Sequence, residues 1–113
     1  GFTNMLIPMQ TEKLGYTSVL QFVSTLKAVQ STTNPNLRIL GIQPILLDQT
    51  SIDHEYVEKA RASFKTLTMS HVVHRRAELK RMAEFGFSEH YAKQRQALTD
   101  YYLVAKEVVE RVQ

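Results

Sequence analysis

Leu37-Arg38-Ile39-Leu40-Gly41-Ile42-Gln43-Pro44-Ile45-Leu46-Leu47-Asp48-Gln49-Thr50 is the stretch that decides how this chain is read. From Leu37 to Leu47 it is nearly all apolar, broken at Gly41 and Pro44, and then it turns polar. A continuous apolar run suits a parallel strand covered on both faces. The polar residues lead into Thr50-Ser51-Ile52-Asp53, which offers several helix N-caps, with Glu55 favourable in the first turn. A buried strand running into a capping loop marks the edge of a ligand site in an open α/β sheet, where ligands sit beyond the carboxyl ends of strands.

Outward from that stretch, the same alternation continues. Upstream, Met5 to Met9 is short and apolar and reads as a strand ending near Pro8, because proline is costly inside a central strand. Tyr16, Val19, Leu20, Val23 and Leu26 then fall at helical spacing, and Phe22 and Val29 widen the stripe, as for a helix laid on a sheet. Ser31 to Asn36 is a loop of turn formers. Downstream, Tyr56, Val57, Ala60 and Phe64 mark a second helix, and Leu67 to Val73 a weaker third strand. Ala77 to Phe85 reads as a short helix closed by Gly86. Ser88 caps a last helix whose apolar face is Leu98, Tyr101, Tyr102, Ala105, Val108, Val109 and Val112. The order predicts an α/β fold: a partial parallel sheet of about three strands, helices on both faces and right-handed crossovers.

At 113 residues the chain is one domain, 1–113, and its 43% hydrophobic and 22% charged content is ordinary for a globular protein. The absence of cysteine excludes disulfides and thiolate metal sites and fits a cytoplasmic setting. No apolar run approaches the roughly 18–20 residues of a membrane span. The chain opens on Gly1-Phe2-Thr3-Asn4-Met5-Leu6-Ile7-Pro8, already strand-like rather than a signal sequence, which suggests a segment of a longer chain. A net charge of +3 permits nucleic-acid binding without requiring it.

The chemistry-bearing residues are few. The four glycines, Gly1, Gly15, Gly41 and Gly86, are too far apart for a GxGxxG or GxxxxGK[ST] phosphate loop. The densest charge cluster is His74-Arg75-Arg76-Ala77-Glu78-Leu79-Lys80-Arg81. It fits either a solvated strand-to-helix corner or a row of cations contacting successive phosphates. Asp48, at the mouth of the central strand, fits either a turn cap or a ligand edge. His71 and His74 lack the carboxylate or cysteine companions of a metal site. Ser51, Asp53 and His54 fit helix capping far better than a hydrolytic triad.

Four blocks together resemble the C-terminal half of ParA-type (Soj-like) partition ATPases, in the deviant-Walker-A family that includes MinD. They are Met5-Leu6-Ile7-Pro8-Met9-Gln10-Thr11-Glu12, Gly41-Ile42-Gln43-Pro44-Ile45-Leu46-Leu47-Asp48, Val72-Val73-His74-Arg75-Arg76-Ala77-Glu78-Leu79-Lys80, and Tyr102-Leu103-Val104-Ala105-Lys106-Glu107-Val108-Val109-Glu110-Arg111. The resemblance implies the C-terminal part of a P-loop NTPase-like fold. It also implies an ATP- and Mg²⁺-dependent parent protein that binds DNA non-specifically, dimerises, answers to a ParB-like partner and works on the nucleoid, away from membranes. By position it assigns Pro44, Asp48, Val73, His74 and Arg75 to the edge of an adenine pocket, and Arg75, Arg76, Lys80 and Arg81 to DNA. The family usually carries proline where His74 stands and threonine near Ile45. Its phosphate loop and Mg²⁺ ligands belong to its N-terminal half, so a chain like this one is expected to hold neither ATP nor metal alone and to lack hydrolytic activity. The alternative is a standalone, non-catalytic interaction module built on the same fold. Either way, the flank of an unpaired apolar strand invites association through its edge.

Overall fold

In a computed structural model, residues 2–75 and 91–112 are described, the side chains of 91–98 and 101 excepted. The elements in order are β1 (Thr3–Gln10), α1 (Lys13–Thr32), β2 (Leu37–Leu46), α2 (Thr50–Phe64), a 3₁₀ turn at Lys65–Leu67, β3 (Val73–His74) and α3 (Tyr91–Val112). The three strands form a parallel sheet in the order β1-β2-β3, so the apolar stretch of the opening reading is its centre. The α/β class, the parallel sheet and the cover on both faces are as the sequence pattern implies. The short helix expected at Ala77–Phe85, its Gly86 terminator and the Ser88 cap lie outside the described residues.

The two faces of the sheet are covered by different helices. Ile7 and Met9 of β1, Leu37 and Ile42 of β2, Val19, Val23 and Leu26 of α1, and Ala60 and Phe64 of α2 form one buried cluster. Met69, Val73 and Val104 form a second, with Val108 packed against it. Gly41 and Ile42 assign the faces, since neighbours in a strand point opposite ways. Ile42 belongs to the α1/α2 cluster, whereas a Cβ on Gly41 would meet the Met69 sulfur at 2.8 Å and the Leu67 carbonyl oxygen at 3.0 Å. Gly41 therefore does not break the strand; it admits the α3 side of the core up to the backbone.

The prolines behave differently from expectation, for one shared reason. β1 continues through Pro8 to Gln10. The Thr3 and Thr11 amides donate to the carbonyls of Asn36 and Ile45, so odd residues of β1 face β2 and Pro8 turns its missing N–H to the outer edge. Pro44 sits inside the central strand and is fully buried. It shares the parity of Ile42 and Leu46, whose carbonyls accept from Met69 and Arg75 on the far flank. Its missing N–H thus points to the stretch ahead of Val73, where no ladder forms.

That stretch is the largest departure from the expected strands. β3 is two residues long rather than Leu67–Val73, with one isolated bridge, Ile42 to Thr68. Register also slips by one residue opposite Met5/Leu6, leaving Leu40 as a bulge in β2. α1 runs past its expected end into Ser31 and Thr32, whose hydroxyls bond back to the Ala28 carbonyl. Its stripe is narrower than expected: Phe22 is 42% and Leu20 39% exposed, and α1 packs on the core through buried Val19, Val23 and Leu26 with partly buried Tyr16 and Val29.

Candidate functional site

An open cavity of about 460 Å³ lies past the carboxyl ends of β2 and β3, lined by Leu46, Asp48, Thr50, Asp53, His54, Val57, Val72 and His74. Its lining is mostly apolar, with Asp48, Thr50, Asp53, His54 and His74 supplying acidic, hydroxyl and imidazole groups. The crossover from β2 to α2 builds it. Asp53, in the first turns of α2 and buried, folds its carboxylate back over the loop. One oxygen accepts from the Leu47 amide at 3.0 Å and from the Thr11 hydroxyl at 2.5 Å; the other accepts from the Gln49 amide at 2.9 Å. Burial opposes this charge, yet the hydrogen bonds from Thr11, Leu47, Gln49 and the Asp48 amide outweigh it and hold the pKa below the ordinary 3.8. The ionised carboxylate also answers the positive end of α2. Asp53, close to Ser51 in sequence, thus spends its carboxylate on the Leu47 and Gln49 amides and the Thr11 hydroxyl.

The site residues assigned by resemblance divide in three. Asp48 and His74 line the cavity; Asp48 turns the chain in the left-handed region (φ 65°), and its carboxylate stands 3.7 Å from Nδ1 of His74. Pro44 and Val73 are buried core residues and do not line the cavity; Val73 packs with Met69 and Val104 on the α3 side. Arg75 is exposed, and its amide ties the end of β3 to the Leu46 carbonyl at 2.8 Å. Arg76, Lys80 and Arg81, the remaining cations of the DNA assignment, lie outside the described residues. Among the described residues no group of three ligating side chains converges on a metal position. His71 instead meets Glu107 at 3.0 Å through Nδ1.

Glu107 belongs to a polar cluster that the hydrophobic pattern does not reveal. Among the described side chains of α3 the buried ones are Val104 and Glu107, with Val108 and Arg111 half-buried beside them. Tyr102, Ala105, Val109 and Val112, expected to form the packing face, are exposed; Leu98 and Tyr101 of that face lie among the side chains not described. The reason is the backbone of residues 67–71. Glu107 accepts from the Ser70 amide at 2.8 Å and the His71 amide at 3.1 Å. Arg111 donates to the carbonyls of Leu40 at 3.1 Å, Leu67 at 3.4 Å and Thr68 at 3.1 Å, and pairs with Glu107 at 2.9 Å. Arg61 reaches the Met69 carbonyl, and Gln43 donates to the carbonyls of Pro44 and His71. Side chains therefore replace the missing ladder and stabilise the bulge at Leu40. Burial opposes the Glu107 charge, but the Ser70 and His71 donors and Arg111 draw its pKa down to about 2. The available signal was the pair Glu107 and Arg111 at helical i,i+4 spacing.

An open, parallel α/β sheet with its cavity at the strand ends and α2 starting beside it defines the class: part of a P-loop NTPase-like nucleotide-binding fold. The sequence then places the chain within that class. It is 31% identical over 84 residues to the chromosome partitioning protein ParA of Myxococcus xanthus, covering 74% of this chain and 30% of that protein. It is 30% identical over 111 residues to the chromosome-partitioning ATPase Soj of Thermus thermophilus, covering 96% of this chain and 45% of that protein. No protein-family model matches the chain. The chain is a homologue of the ParA/Soj partitioning proteins and spans less than half the length of these two relatives.

Proposed function

We propose that this chain forms the C-terminal half of a ParA-type ATPase domain that partitions plasmids or chromosomes. The homology along nearly the whole chain carries the reading, and the cavity at the strand ends supports it. In this reading the cavity is one wall of an adenine pocket. Asp48 and His74 line it, the buried Pro44 and Val73 hold the strand ends that carry them, and the Arg75 segment forms its lip. ATP phosphates and Mg²⁺ are held by residues of the other half, because the 113 residues here carry no phosphate loop. Arg75, Arg76, Lys80 and Arg81 supply non-specific contacts to DNA phosphates, while a ParB-like protein and a second subunit complete the machine. No helix among the described residues is long and apolar enough to cross a membrane.

The first test is the ATP affinity of the full-length protein, N-terminal half included, carrying Asp48→Ala together with His74→Ala. A several-fold loss of affinity supports the pocket; unchanged affinity overturns it. The second is anisotropy of a labelled DNA duplex across salt concentration. Binding should fall steeply with salt and vanish when Arg75, Arg76, Lys80 and Arg81 are all alanine. Unchanged binding in that variant removes the DNA assignment.

A further inference from the structure

The carboxylate of Asp53 sits in a cradle that the chain itself makes. The amides of three consecutive residues, Leu47, Asp48 and Gln49, all donate to it. Asp48, the middle residue, holds φ at 65°. Successive amides turned to one side around a left-handed residue form a nest, a backbone site for an anion. Here the anion is the chain's own, supplied from the first turn of α2. Filling the nest fixes the backbone of Asp48, and with it the direction of the Asp48 side chain, which lines the cavity and stands 3.7 Å from His74.

Asp53 is itself tethered. The Thr11 hydroxyl has one proton to donate and two acceptors in reach. The Asp53 oxygen at 2.5 Å takes it in preference to the Ile45 carbonyl at 3.2 Å, a short bond to a charged acceptor. Thr11 is fully buried and does not line the cavity. It follows the last residue of β1, and its amide donates to the Ile45 carbonyl of β2. A line of hydrogen bonds thus runs from the end of β1, through Thr11 and Asp53, to the loop 47–49 that carries Asp48.

We propose that Thr11 and Asp53 are positioning residues for the base of a nucleotide: they set Asp48 at the cavity before the ligand arrives. This rests on the reading of the cavity as a wall of the adenine pocket. The Asp53 carboxylate is occupied by backbone amides, so it orients the loop and Asp48 is left to face the ligand. Without the Thr11 hydroxyl the nest holds its anion less firmly and the loop leaves the competent arrangement part of the time. Apparent affinity then falls by the competent fraction. The effect is confined to the base, since the phosphates are held by the other half in that reading.

The test uses the full-length protein, N-terminal half included, with Mg²⁺ and two probes: ATP, and inorganic tripolyphosphate, which has the phosphates and no base. Thr11→Val, which keeps the shape and removes the hydroxyl, should weaken ATP binding about tenfold and leave tripolyphosphate binding unchanged. Thr11→Ser keeps the hydroxyl and should hold ATP affinity within about twofold of the parent. Asp53→Asn, which removes the anion from the nest, should behave as Thr11→Val does. Equal losses for both probes mean a general structural defect and overturn the proposal, as does unchanged ATP affinity in Thr11→Val and Asp53→Asn. Its failure is distinct from that of the pocket reading. If Asp48→Ala with His74→Ala weakens ATP binding while Thr11→Val does not, the pocket stands and the positioning role falls. If that double variant binds ATP unchanged, the pocket reading falls and the positioning role with it.

Discussion

The two flanks of the central strand are held in different ways. On one side β2 pairs with β1 along eight registered residue pairs, a ladder of backbone donors and acceptors. On the other side the ladder is two pairs long, and Gln43, Arg61, Glu107 and Arg111 supply the hydrogen bonds. A ladder depends little on side-chain identity. The other flank depends on four particular side chains, one of them reaching from 71 residues away. The first flank should therefore tolerate substitution and the second should not.

The largest effect is expected from Arg111→Met. It removes donors to three backbone carbonyls and leaves the Glu107 carboxylate buried beside no guanidinium. Breaking one partner of a buried pair costs about 3–5 kcal/mol, to be read from urea unfolding. A cost below 1 kcal/mol would mean that the ladder alone holds the sheet. Gly41→Ala comes next, at about 1–3 kcal/mol, since its Cβ would press on Met69 and on the rigid Leu67 carbonyl.

Acid should attack the same flank. The folded-state pKa of Glu107 lies below its ordinary 4.5, at about 2. Its contribution is therefore fully present above pH 4.5 and is lost as pH falls through that window toward 2. Glu107→Gln should lower stability at neutral pH and flatten the loss on acidification; an unchanged pH profile would assign the acid sensitivity elsewhere. The smallest effect is a gain. Lys65 caps α2 at φ 52°, a backbone region suited to glycine, so Lys65→Gly should stabilise by up to about 1 kcal/mol.

The same contrast explains what the sequence disclosed. β2 was readable because a strand covered on both faces is largely apolar, and Leu37–Leu46 is so apart from Arg38 and Gln43. α1 and α2 were readable because their buried positions repeat at helical spacing. The Leu67–Val73 segment misled because its composition is strand-like while its hydrogen bonds go to side chains distant in sequence. α3 misled for the complementary reason: its buried line holds a carboxylate and a guanidinium, so hydrophobicity pointed to the outer face. At the cavity, Asp48 and His74 were found by position in the fold. The capping role of Asp53 was anticipated only as one of several options, and its bond to Thr11, 42 residues away, carried no local signal.

The carboxylate of Glu107 gives this molecule an internal clock. It holds the amide protons of Ser70 and His71, which lie 37 and 36 positions before it. Those protons have no ladder partner to shelter them, so solvent deuterium reaches them whenever α3 lifts from the sheet, even while the β1–β2 pair stays closed. Their exchange rate would time the comings and goings of the last helix, separately from unfolding of the whole domain.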